Sequence, residues 1–84
     1  MSREKVAEIL RTYLGEVAGI SAESVGPDSS IDGDLEMNSV TFVELQVALE
    51  EHFDILIDPI AVIECNQFEA IVDYLHSLVR ESSE

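Results

Sequence analysis

The stretch Met37-Asn38-Ser39-Val40-Thr41-Phe42-Val43-Glu44-Leu45 decides how the rest of the chain is read. Asn38 is suited to an N-cap, because its side-chain oxygen can accept a hydrogen bond from a free first-turn N–H. From Ser39 onward each residue turns about 100° if the segment is an α-helix. Phe42, Leu45, Leu49 and Phe53 then fall on one side, flanked by Ala48. That pattern predicts a helix over 39–53 with a core-facing stripe. Val40, Val43 and Val47 fall on nearly the opposite side, with Glu44, Glu50 and Glu51 around them. One apolar stripe is enough to fold an amphipathic helix. A second stripe edged by carboxylates is expected to be a docking surface, made by Val40, Val43, Glu44, Val47 and Glu51.

Upstream, Val6, Ile9, Leu10, Tyr13, Leu14 and Val17 recur at helical spacing, with Ser2 as a cap and Gly19 as a stop. They predict a helix over 3–18. Residues 19–37 read as a long loop punctuated by Gly26-Pro27, Asp28-Ser29-Ser30 and Asp32-Gly33, with Ile20, Val25, Ile31 and Leu35 tying it to the core. Downstream, Asp58 followed by Pro59 is a helix start, and 59–64 is expected to form a short helix with Ile60 and Ile63 inward. Asn66 with Glu69 three residues on resembles a capping box. Phe68, Ile71, Val72, Leu75 and Val79 then form the core stripe of a final helix over about 67–80, leaving 81–84 as a polar tail. The expected fold is all-α: a small bundle of three main helices plus one short helix, with a long loop between the first two.

The totals narrow the function. Eighty-four residues suit one small domain, close to the size at which an unstapled core suffices. Cys65 is the sole cysteine, which excludes an intramolecular disulfide framework and a multi-cysteine metal site and points to a reducing, cytoplasmic setting. It is expected to pack, half-buried, before the final helix. Met1-Ser2-Arg3-Glu4-Lys5 lacks a following apolar segment of the secretory kind, and no apolar run reaches membrane-spanning length. The net charge is −14, and from Thr12 to Val79 there is no Lys or Arg against fourteen Asp and Glu. Such a surface repels nucleic acid and anionic membranes and attracts partner proteins with basic patches. No nucleic acid, no membrane and a monomeric state are therefore expected.

Chemistry concentrates at Ser39. A helix N-terminus offers free N–H groups and the positive end of the helix dipole, which favour an exposed phosphate by roughly 0.3–1 kcal/mol. No base lies near in sequence to activate the hydroxyl, since His52 and His76 are distant and no triad pattern is present. Ser39 is thus expected to be modified by another enzyme rather than to be catalytic, and no catalytic residue is expected elsewhere.

Asp34-Leu35-Glu36-Met37-Asn38-Ser39-Val40 resembles the signature of the acyl carrier protein family, approximately Asp-Leu-Gly-x-Asp-Ser-Leu. The likeness continues through Glu44-Leu45, Ala48-Leu49-Glu50-Glu51, Phe53-Asp54 and Ile57. It takes in Pro27-Asp28-Ser29-Ser30-Ile31 before the helix and Phe68, Ile71, Asp73, Tyr74 and Leu75 after it. The resemblance implies a stand-alone four-helix carrier without catalysis of its own. It implies 4′-phosphopantetheine attached to Ser39, with Asn38 as motif residue and cap, and acyl or aminoacyl intermediates held as thioesters for fatty-acid, polyketide or related biosynthesis. The implied partners are a phosphopantetheinyl transferase and acyl- or aminoacyl-loading and condensing enzymes with basic docking surfaces. The chain has Glu36, Asn38 and Val40 where the family has Gly, Asp and Leu. Asn38 keeps a capping oxygen but removes a charge, and the departures point to a specialised biosynthetic carrier.

Two other readings compete. Asp28, Ser30, Asp32, Gly33, Leu35 and Glu36 occupy the first, third, fifth, sixth, eighth and ninth places of an EF-hand-like calcium loop over 28–39, but Ser39 stands where a bidentate Glu belongs. An unmodified acidic adaptor would use the valine stripe alone and would tolerate Ser39→Ala.

Overall fold

A computed structural model describes residues 2–26, 29 and 39–82, and the side chains of 22, 39, 81 and 82 fall outside that description. Four α-helices follow in order: α1 (Arg3–Ala18), α2 (Ser39–Phe53), α3 (Pro59–Cys65) and α4 (Phe68–Ser82). Among the described residues there is no strand, so the fold is the all-α arrangement expected from the sequence.

Each boundary has a local cause. The Ser2 hydroxyl accepts from the Lys5 N–H at 3.2 Å and so occupies one orphan donor at the start of α1. At the other end Gly19 adopts φ 69°, a left-handed turn that a side chain would strain. The Gly19 and Ile20 N–H groups there bond back to Gly15 and Leu14 carbonyls. The Asp58 carboxylate accepts from the Ile60 N–H at 3.0 Å, and Pro59 sits in the first turn of α3, where its missing N–H costs nothing. A 3-10 turn at Ala22–Ser24, not foreseen from the sequence, interrupts the long first loop.

α1 is the hub. Both α2 and α4 pack on it, and α3 packs on α4. The core joins Val6, Leu10 and Leu14 of α1 to Leu45, Leu49 and Phe53 of α2 and to Phe68, Ile71, Val72, Leu75 and Val79 of α4, with Val25 inserted from the loop. Ile55 and Ile57 of the α2–α3 connector and Val62 of α3 complete it. Burying one such aliphatic side chain contributes about 1.5–3 kcal/mol. On the surface Arg3 pairs with Asp73 and, at 3.3 Å, with Glu69, while the Arg11 guanidinium lies 4.8 Å from the Phe68 ring centre. α4 therefore runs counter to α1.

Three expectations need correction. Ile60 and Ile63 do not point inward; they are 65 % and 52 % exposed, and Val62 is the buried residue of α3. A helix of under two turns, packed chiefly on α4, seats a single side chain in the core, and the Asp58–Pro59 start turns Val62 into that position. Asn66 closes α3 with a positive φ of 60°, and α4 begins later, at Phe68. α4 also continues through Ser82, so 81 and 82 are helical rather than tail. Ser29 explains how α4 starts. Its carbonyl accepts the otherwise orphaned Phe68 N–H at 2.7 Å, and its buried hydroxyl accepts from the Gly26 N–H at 2.9 Å. Val25 and half-buried Ile20 do tie the loop to the core, whereas Ile31 and Leu35 lie outside the described residues.

Candidate functional site

Ser39 is the first residue of α2. The opening N–H groups of a helix have no intrahelical acceptor and carry the positive end of the dipole. No acidic residue stands in that first turn. The donor set therefore fits a phosphodiester on the opening residue. Asn38, with the rest of its motif, and the EF-hand-like positions from Asp28 to Glu36 other than Ser29 lie outside the described residues.

The two faces of α2 separate as the spacing predicts. Leu45, Leu49 and Phe53 are buried, and Phe42 packs against them from the edge of the core. Val40, Val43 and Val47 are bare, at 67 %, 55 % and 45 % exposure. Glu44 and Glu51 are exposed beside them. The structure thus brings the five expected docking residues onto the outer side of one helix.

Glu50 departs from that group. Its carboxylate accepts the Ile57 N–H at 2.8 Å, while the Gln46 side-chain amide donates to the Ile57 carbonyl at 3.2 Å. Two side chains one helical turn apart hold both backbone groups of one connector residue. The Tyr74 hydroxyl accepts the next N–H, that of Asp58, at 2.9 Å. Nothing in the helical spacing marks these contacts, because each pairs a side chain with a backbone group. Exposed apolar residues also extend past α2, at Leu56 in the connector and at Ile60 and Ile63 on α3.

Between the helices lies an apolar void of about 20 Å³, lined in part by Leu14, Phe42, Leu49, Ile57, Val62 and Leu75. That is about the space of one water molecule, and such walls leave it dry. His52 lies at the core's edge, with Nδ1 3.0 Å from the Tyr13 hydroxyl and its ring edge-on to Phe53. Cys65 is half-buried at the end of α3, where burial, with Glu64 and Asp73 adding to it, pushes its thiol above the ordinary value.

The family model described as "Phosphopantetheine attachment site" matches residues 8–75. The chain belongs to this family. Its prosthetic group is 4′-phosphopantetheine, and its role is that of a phosphopantetheine acyl carrier. The acyl carrier protein of Acidothermus cellulolyticus is 35 % identical over 75 residues, spanning 89 % of each chain. That of Guillardia theta is 29 % identical over 79 residues, spanning 94 % of this chain and 98 % of its own. A solved structure of the acyl carrier protein from Enterococcus faecalis superposes with a TM-score of 0.74 at 27 % identity, covering 93 % of this chain and 99 % of that one. The relatives are carriers, and a carrier of this family works with a transferase and with biosynthetic enzymes. No described helix is long and apolar enough to cross a membrane.

Proposed function

We propose that Ser39 is the attachment residue, and that residues 1–84 form a single carrier domain holding acyl or aminoacyl intermediates for fatty-acid, polyketide or related biosynthesis. The observation that carries this reading is a helix opening at Ser39 whose outer side keeps three bare valines and two exposed carboxylates. Asn38 belongs to the attachment motif. A phosphopantetheinyl transferase joins the Ser39 oxygen to the phosphorus of the arm in a phosphodiester as the pyrophosphate bond of coenzyme A breaks, releasing adenosine 3′,5′-bisphosphate and the hydroxyl proton. Bound there, the group supplies a thiol that keeps a carbonyl reactive as a thioester.

The chain's own residues do the presenting. First-turn N–H groups of α2 stabilise negative charge beside Ser39. Val40, Val43 and Val47 give a partner an apolar seat, and Glu44 and Glu51 steer it by attracting a basic rim. Tethering raises the effective concentration of cargo at each docked enzyme. The chain needs no catalytic residue of its own, and it acts in the cytoplasm as a monomer.

Intact mass after incubation with coenzyme A and a broad-specificity transferase tests the assignment. The wild type gains one phosphopantetheine unit and Ser39→Ala gains none. A wild type left unchanged by every transferase of its native host, or a Ser39→Ala variant that gains the unit, overturns it.

A further inference from the structure

α3 and the connector before it leave much of their apolar content uncovered. Ile55, Ile57 and Val62 face the core, while Leu56, Ile60 and Ile63 are 87 %, 65 % and 52 % exposed. Ile60, Ile63 and the exposed Glu64 stand at i, i+3 and i+4, so they share one side of the helix. Large aliphatic side chains grouped in water mark a contact surface, because folding gains nothing from them. Their presentation is fixed in advance. Ile57, next to Leu56, has its N–H held by Glu50 and its carbonyl by Gln46, and Tyr74 holds the N–H of Asp58. A seat ordered beforehand loses little freedom when it is filled. The rim is acidic: Asp54, Asp58 and Glu64 are exposed around the three apolar residues, and no Lys or Arg occurs between Thr12 and Val79. A second copy of the chain would set these carboxylates against themselves, and an anionic bilayer would repel them. The matching surface is an apolar groove edged by Lys or Arg.

Resting on the carrier reading above, we propose that Leu56, Ile60 and Ile63 form a second docking seat, distinct from the valines of α2, and that its occupant is the loading enzyme, through an apolar groove edged by Lys or Arg. The chemistry separates this partner from the transferase. A transferase reacts with the Ser39 oxygen itself and is confined to the head of α2. A loading enzyme reacts with the thiol at the far end of a flexible arm, so it can sit away from the serine. Leu56 lies beyond the other end of α2, a helix of fifteen residues and about 22 Å. The seat therefore favours the enzyme that charges the arm over the one that installs it.

Intact mass on the full chain follows both steps. A broad-specificity transferase and coenzyme A first convert the wild type, Leu56→Ser, Ile60→Ser and Glu64→Lys, and all four are expected to gain the arm at the wild-type rate. The native host's loading enzyme that charges the wild-type thiol is then titrated with each arm-bearing carrier. Leu56→Ser and Ile60→Ser are each expected to raise its KM for the carrier roughly tenfold at unchanged kcat. Glu64→Lys raises KM severalfold and flattens its dependence on salt. Melting followed by circular dichroism stays at the wild-type midpoint, since all three positions are exposed. The proposal is overturned if both serine variants keep the wild-type KM, or if Glu64→Lys does, since the groove then has no basic edge. It is overturned if the transferase slows by the same factor, because the seat then favours neither enzyme. A wild-type dimer in sedimentation that Ile60→Ser dissolves gives the seat to a second copy, and cosedimentation with phosphatidylserine vesicles that the same variant abolishes gives it to a bilayer; either overturns the proposal. A wild type that gains no arm overturns the carrier reading itself, whereas an arm gained and charged with every KM unchanged overturns only the second seat.

Discussion

α2 and α4 are both fifteen-residue helices packed on α1, yet they spend their apolar residues differently. In α4, Phe68, Ile71, Val72, Leu75 and Val79 are all buried, and the exposed positions are mostly polar. In α2, Leu45, Leu49 and Phe53 are buried while Val40, Val43 and Val47 stand in water. Folding accounts for every apolar residue of the α4 stripe but leaves three valines of α2 uncovered. The surplus lies on the helix that opens at Ser39, the face proposed above to dock partner enzymes.

The contrast can be broken most directly at Leu75, which is fully buried. Leu75→Ala is expected to cost about 2–5 kcal/mol of unfolding free energy by leaving a cavity, read by urea or thermal denaturation. A loss under about 1 kcal/mol means that α4 is not the structural helix described here. Val43→Asp sharpens the other side. Stability is expected to stay within about 0.5 kcal/mol, as for surface changes generally, while turnover by a loading or condensing enzyme falls severalfold. Unchanged turnover removes the outer side of α2 from the docking argument.

The smallest effect belongs to Cys65, where α3 meets α4. Its thiol is raised above the ordinary value, chiefly by burial. A raised value in the folded state means that the unfolded thiol ionises first as pH climbs. The contribution to stability is therefore complete below the unfolded value, near 9.0, and is lost as pH rises through the folded one. Denaturation midpoints of Cys65→Ser and wild type should converge or cross as pH passes about 9. Alkylation of the folded thiol at pH 8 should run slower than that of the same thiol in urea. Equal rates would remove burial as the cause of the shift.

Much of this arrangement is legible in the residues. Long periodic segments that follow a cap locate α1 and α2, with Gly19 also ending α1, and the two stripes of α2 can be separated by angle alone. α3 shows where that reading ends. With seven residues, Ile60, Val62 and Ile63 are equally apolar candidates for one seat, and only the tertiary packing selects Val62. Asn66 carried a usable signal, because asparagine is enriched at positive φ and so closes helices as readily as it opens them. Glu50 carried none. Its partner is a backbone N–H seven residues along, and helical spacing groups it with the solvent-facing acids Glu44 and Glu51. At the site, the place of Ser39 at the head of α2 was legible, and so was the exposure of the five residues beside it.

The Ser29 carbonyl bears on the order in which the protein matures. It accepts the first N–H of α4 from thirty-nine residues earlier in the chain. During synthesis at roughly 5–20 residues per second, that acceptor waits about 2–8 s for its donor to be made. Ser29, ten residues ahead of Ser39, thus gains this bond only after α4 emerges from the ribosome. A transferase that recognises the tied form would install the arm on a finished carrier and pass over a nascent one.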